Sequence, residues 1–185
     1  KGNAQEQFEL GRIYISSHPD EGLAYLIKAA MQGHLLAQKY LGLLYQKGER
    51  IPKDEVESER WSRLAAEQGD ADSQTILAFI YRYGWGFPVN YKEANKWFLR
   101  AAEQGDAGAQ EQLGWMNLNG KGVPKDVTEA VKWYRKSAEQ GEARAQSCLG
   151  GLYMMGEGVP EDNVLAYMWL NLAAAQGEEI AKEAR

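Results

Sequence analysis

Side chains suited to nucleophilic or metal chemistry are scarce in this chain. There are two histidines, His18 and His34, and one cysteine, Cys148. One cysteine excludes an intramolecular disulfide and a zinc site built from several cysteines. A reactive thiol needs a basic neighbour to lower its pKa, and none is evident beside Cys148, so a buried inert thiol is expected. His18 precedes Pro19, and His34 follows a glycine where later stretches carry Asp70, Asp106 and Glu142; both read as structural or surface residues. The recurring Asp54, Asp126 and Asp162 could ligate a metal, but their setting is that of helix caps. Gln38, Gln74, Gln110 and Gln146 could form a ladder of ligand-binding amides. Their unvarying recurrence points instead to a hydrogen bond with a neighbouring backbone. Gly120-Lys121-Gly122 lacks the remainder of a phosphate-binding loop. Catalysis needs titratable groups that converge, and every acid here is either a cap or scattered. The expectation is a non-catalytic protein with no cofactor and no metal.

The elements that would carry these residues follow from the composition and the spacing. The 185 residues are 44 % hydrophobic and 25 % charged, a globular composition. Twenty-six acidic against 21 basic residues give a net charge of -5, which does not favour a nucleic-acid partner. No apolar run approaches the roughly 18 residues of a membrane helix, so no membrane insertion is expected. Self-similarity dominates. Gly33, Gly69, Gly105, Gly141 and Gly177 recur every 36 residues, as do Pro52, Pro88, Pro124 and Pro160, and Trp61, Trp97, Trp133 and Trp169. The units run over about 2–32, 33–68, 69–104, 105–140 and 141–176, with a partial helix at 177–185. The first unit is shorter, with the missing residues between the helices near Pro19. One array is expected, with no second domain.

Each unit divides into two helical patterns. Helix A runs from about Leu35 to Gln46, with copies beginning near Ala71, Ala107 and Ala143. Helix B runs from about Glu55 to Gln68, with copies near Tyr91, Val127 and Asn163. Asp54 and Glu57, Asn90 and Glu93, and Asp126 and Glu129 each fit a reciprocal capping box. The 36-residue glycines end helix B, and Gly48, Gly84, Gly120 and Gly156 end helix A. Ala130, Trp133, Ser137 and Ala138 mark the buried stripe of helix B, with the tryptophan as its single large wedge. Losing one such core tryptophan would cost about 3–5 kcal/mol. Gly42, Gly114 and Gly150 return inside helix A despite their low propensity, which implies that a neighbouring backbone approaches closely there. A short helix pair cannot bury its apolar face alone, but stacked pairs can. The expected fold is all-α, a right-handed α/α solenoid of helical hairpins.

The motif AQ-x2-LG-x2-Y-x2-G-x-G-VP-x-D-x3-A-x2-W-x3-AA-x-QG appears as AQSCLGGLYMMGEGVPEDNVLAYMWLNLAAAQG from Ala145 to Gly177. Through it the chain resembles the Sel1-like repeat family, relatives of the tetratricopeptide repeat. The resemblance covers essentially all residues, with Asn117 for tyrosine, Ser73 for alanine and Tyr25 for tryptophan as departures. It implies an adaptor that holds a protein or peptide partner, and many such proteins are bacterial. Some exported members carry a cysteine pair per repeat, which is absent here. The compartment implied is a bacterial cytoplasm, or the periplasm or exterior if a leader is removed.

Positions that vary between copies yet share one helical face look away from the repeat. In helix A these include Lys39 and Leu43; Thr75, Phe79 and Arg82; Glu111, Trp115 and Leu118; and Met154, with Tyr83 and Met155 extending the row. In related solenoids the A helices line the concave side, so these side chains are expected to form an inner strip for a partner, with Phe79, Trp115 and Leu118 at its centre. The alternative is that Phe79 and Trp115 fill gaps between A helices. Trp85 stands where other copies have Glu49, Lys121 and Glu157, which makes it a further contact residue, whereas Phe87 reads as core. Two other functions compete with the adaptor: a hydrolase or glycan-binding protein of the cell wall, and a structural array with weak self-association.

Overall fold

The computed structural model describes residues 2–178, and these form ten α-helices with no strand among them. Two compact units meet at the Val89–Asn90 bond. The first contains α1 (Ala4–Tyr14), α2 (Pro19–Met31), α3 (Leu35–Lys47), α4 (Glu55–Glu67) and α5 (Ala71–Tyr83). The second contains α6 (Tyr91–Glu103), α7 (Ala107–Asn119), α8 (Val127–Glu139), α9 (Ala143–Met155) and α10 (Asn163–Ala175). Within each unit every helix packs on the next in chain order. Each unit is therefore a stack of helical hairpins, an all-α solenoid arrangement in which no hairpin has to bury its apolar face alone.

The helices start and stop where the side chains provide for it. Asp54, Asn90, Asp126 and Asp162 accept hydrogen bonds from the first-turn N–H groups of α4, α6, α8 and α10. The reciprocal halves of the expected capping boxes do not form. The backbone N–H of Asp54 donates to the Tyr45 carbonyl, and that of Asp126 to the Asn117 carbonyl, both near the ends of the preceding helices. The glutamates turn to cations one turn on instead: Glu57 to Arg60, Glu93 to Lys96 and Glu129 to Lys132. Among the described residues a complete box forms only at α1, between Asn3 and Glu6. Pro19 is the first residue of α2, where its missing N–H costs nothing, and so it does not correspond to the later prolines. Gly48 and Gly120 end α3 and α7 in the left-handed region, with φ of 68° and 62°.

The core lies between successive helices. In the first unit it holds Phe8, Leu26, Leu41, Leu44 and Trp61; in the second, Tyr134, Leu149, Leu152 and Tyr153. The tryptophan wedge is only partly as expected. Trp61 and Trp97 are buried, but Trp133 and Trp169 are half-buried. In α8 the deepest aromatic is the next residue, Tyr134, at 1 % exposure. Its ring lies on Gly114, where a β-carbon would come within 2.7 Å of it. Trp133 lies beneath the Lys136 ammonium, 4.3 Å from its ring centre. The helix-A glycines thus admit side chains of helix B more than backbone. Leu170 occupies the same place over Gly150, and Ser62 over Gly42.

Candidate functional site

The repeated glutamines resolve first. Nε2 of Gln38, Gln74, Gln110 and Gln146 donates to the carbonyl oxygens of Ala30, Ala66, Ala102 and Ala138, at 3.0–3.1 Å. Each acceptor lies in the last turn of the preceding B helix and also accepts the backbone N–H of the glycine that follows it, Gly33, Gly69, Gly105 or Gly141. Gln68, Gln140 and Gln176 add a donation to Gln38, Gln110 and Gln146. The amides therefore tie one hairpin to the next, as their recurrence implied. His34 caps α3 through Nδ1, 3.2 Å from the Ala37 N–H, and its Nε2 meets Gln5 Oε1 at 2.9 Å. Burial pushes the Cys148 pKa up, although the bond with Tyr134 acts in the opposite direction. Arg144 also favours the thiolate, so a basic neighbour does exist one turn away; burial outweighs it. Among the described residues no three His, Cys, Asp or Glu side chains gather as a metal site would require.

The variable row of helix A divides by unit. In the first, Lys39 is engaged within the fold: its ammonium lies 3.1 Å from Asp70 Oδ1 and 2.5 Å from Asp72 Oδ2. Burial works against its charge, but both carboxylates outweigh burial and hold its pKa above the ordinary value. For Asp70, burial is likewise overcome, by Ser73 and Lys39, and its pKa falls below the usual carboxylate value. Leu43 and Thr75 are half-buried. Phe79, Tyr83 and Trp85 stack. Phe79 and Tyr83 are 5.8 Å apart at 7°, and Tyr83 and Trp85 are 5.4 Å apart at 24°. The Arg82 guanidinium lies 5.1 Å from the Tyr83 ring centre, and Tyr83 is 52 % exposed. Trp85 also walls a cleft of about 300 Å³ with Gln46, Lys53, Glu55, Ser58 and Ile80. Its backbone N–H donates to the Ile80 carbonyl, as Lys121 does to Met116 and Glu157 to Leu152. Three copies make the same turn with three different side chains, so the turn does not dictate an indole. Phe87 is half-buried beside Tyr81, 6.4 Å between centres.

The second unit is different. Glu111 is 6 % exposed and accepts from Gln112 Nε2, so it is part of the interior rather than of a rim. Trp115 and Leu118 are half-buried against the core around Leu149 and Tyr153. Tyr91 lies 6.4 Å from the Trp115 ring. Met154 and Met155 are exposed at the end of α9. Sequence spacing missed a half-buried polar node. Tyr81 donates to Glu59 Oε1 at 2.5 Å, and Arg63 bonds to both of them. The signal was the recurrence of Arg63 and Tyr81 as Arg135 and Tyr153, two units on.

The model of the Sel1 repeat matches residues 7–34, 35–70, 71–106, 107–142 and 143–178. The chain belongs to the Sel1 repeat family. Among solved structures it is similar to c5321, a protective antigen present in uropathogenic Escherichia coli strains and displaying an SLR fold, at 34 % identity and a TM-score of 0.90. That match covers 97 % of this chain and 40 % of the antigen, so the chain spans about two fifths of the antigen's length. A Sel1 repeat protein from Oxalobacter formigenes is 38 % identical, with a TM-score of 0.82, over 97 % of this chain and 75 % of that one. The cysteine rich protein B of Helicobacter pylori shares the fold, at 22 % identity and a TM-score of 0.57, over 75 % of this chain and 99 % of that one. A comparison with curated proteins finds no match. The Sel1 fold is a non-catalytic repeat scaffold of the kind used for protein–protein interaction, and these relatives are bacterial.

Proposed function

We propose that this Sel1 chain is an adaptor that holds a peptide segment of a protein partner in the groove between α3 and α5. The observation that carries the reading is the Phe79–Tyr83–Trp85 stack, flanked by the Arg82 guanidinium and opening onto the cleft at Ile80. Rigid aromatic rings lose little entropy on binding, and an aromatic and arginine cluster is the usual make-up of a binding hot spot. The cleft has an apolar floor at Ile80 and an indole wall, with the paired Lys53 and Glu55 at its polar edge. That suits one apolar side chain of an extended peptide whose backbone meets Gln46. Leu43 and Thr75 lie on the same A helices. In the second unit Met154 and Met155 offer a flexible apolar surface of the same use.

The test is selection of a displayed random peptide library by the wild type and by the folded double variant Tyr83→Ala/Trp85→Ala. The expected result is enrichment of peptides with a recurrent apolar anchor by the wild type, and about a tenfold or greater loss of their affinity in the variant. Equal affinity of the two proteins for the enriched peptides would overturn the groove assignment.

A further inference from the structure

The outer row of the B helices changes character in α10. At its centre stand Arg60 in α4, Lys96 in α6 and Lys132 in α8, each paired with a glutamate one turn earlier. In α10 the same two places hold Met168 and Leu165, so the whole ion pair is replaced by apolar side chains. One turn to either side, α4 already carries the exposed Val56 and Leu64 about Arg60, whereas Lys92 and Arg100 in α6, and Thr128 and Lys136 in α8, become Val164 and Leu172 in α10; α10 alone of the four joins apolar flanks to an apolar centre. Arg100 and Lys136 cover the rings of Trp97 and Trp133 at 4.4 and 4.3 Å, a cover that Leu172 cannot supply to Trp169 as a cation. No residue from Asn163 to Ala175 carries a charge. Val164 is 80 % exposed, and Met168 and Leu172 are 41 % and 45 % exposed.

A following hairpin does not account for this row. Within the units, the outer positions of α4 and α8 remain exposed although further helices pack on them. Lys132 and Lys136 stay in solvent with α9 in place, so this face lies off the path of the repeat.

We propose that α10 is a self-association face, on which two copies of this chain pack their α10 helices antiparallel about a two-fold axis through Met168. Val164, Met168 and Leu172 form an i, i+4, i+8 ridge on one face of α10, and two such ridges lie along each other about this axis. The ridge is symmetric about its centre: Val164 meets Leu172 of the partner subunit, and Met168 meets its own counterpart. Two chains of net charge -5 approach here without opposing like charges along the helix, whereas on α6 or α8 the same approach would set lysine against lysine. A helix of 13 residues is about 20 Å long, so the contact is smaller than a standard interface and the dimer is weak.

Sedimentation velocity over roughly 10 to 500 μM, a range suited to an interface below standard size, tests the assignment. The wild type is expected to shift from monomer to dimer. Met168→Lys restores the residue type of the two preceding copies, so the helix is expected to keep its fold, and it sets two ammonium groups on the axis. Its dissociation constant is expected to rise at least about tenfold. As a second readout, Met168→Cys in a Cys148→Ser background is expected to form a disulfide-linked dimer on oxidation. A wild type that stays monomeric over the whole range overturns the assignment, including the case in which this face serves a different partner. So does a dimer that Met168→Lys leaves unchanged, or one in which Met168→Cys does not cross-link.

Discussion

At Gly42 in the first unit and Gly114 in the second, the same step of helix A meets opposite partners. Over Gly42 lies the small Ser62, while the preceding Trp61 is buried deeply and the Ser58 hydroxyl donates to the Gly42 carbonyl at 2.9 Å. Over Gly114 lies the Tyr134 ring, and the preceding Trp133 is half-buried beneath Lys136. The repeat thus conserves a vacancy over a glycine and the approximate volume near it, and leaves open which of two adjacent residues fills it. The polar node shows the same tolerance. In the first unit Arg63 and Tyr81 bond to each other and both to the Glu59 carboxylate, whereas in the second Arg135 donates to Tyr153, at 2.5 Å, and buried Val131 stands where the carboxylate would be.

The largest effect that separates the two units is expected at the glycine-facing residue. Tyr134→Ala removes a buried ring and is expected to lower unfolding free energy by about 3–5 kcal/mol. Ser62→Ala, at the same place in the first unit, removes a buried hydroxyl that has no hydrogen-bond partner among the described residues, and is expected to be neutral or slightly stabilising. Urea unfolding of the two variants measures both, and equal costs would show that the two hairpins pack alike after all. A smaller contrast is expected at the polar node. Tyr81→Phe loses bonds to a carboxylate and a guanidinium, at a cost of about 1.5 kcal/mol, while Tyr153→Phe loses one partly exposed bond, at about 0.5 kcal/mol. Thermal unfolding of the pair reads the difference, and a larger cost for Tyr153→Phe would reverse the comparison. The smallest effect concerns caps. His34, Asp70 and Asp106 cap their A helices through the side chain, but Glu142 makes no such bond to α9. Glu142→Asp is expected to raise stability by about 0.5 kcal/mol in the same unfolding assay. No gain would mean that α9 is held by its neighbours alone.

Helix starts were legible because caps and glycines act on the backbone within a turn of themselves. Asp54, Asp126 and Asp162 cap where their spacing placed them, and Gln38 and its copies bond to backbone as expected. The capping boxes were only half legible: the cap N–H groups are taken by carbonyls of the preceding helix, which are neighbours in space but not in local sequence. Ser62, Phe98, Tyr134 and Leu170, each the residue after the repeated tryptophan, lie outside the stripe that the spacing of Ala130, Trp133, Ser137 and Ala138 marks, yet all four are buried. In a stacked core, size at one position is balanced by size at the next, so a buried position can vary freely. For the same reason Glu111, chosen for its variability, lies inside. The Phe79, Tyr83 and Trp85 rings were each visible as departures from the repeat, but their mutual stacking was not.

From the sequence alone came the 36-residue period, the helix pairs, the caps and the Sel1 resemblance, because all of these act over short distances along the chain and recur. The tertiary structure decided which of two adjacent aromatic residues enters the core, which polar side chains find each other, and which face of α10 is left uncovered. Those outcomes depend on the volume and charge of side chains contributed by a neighbouring hairpin, and one helix cannot specify what its neighbour presents to it.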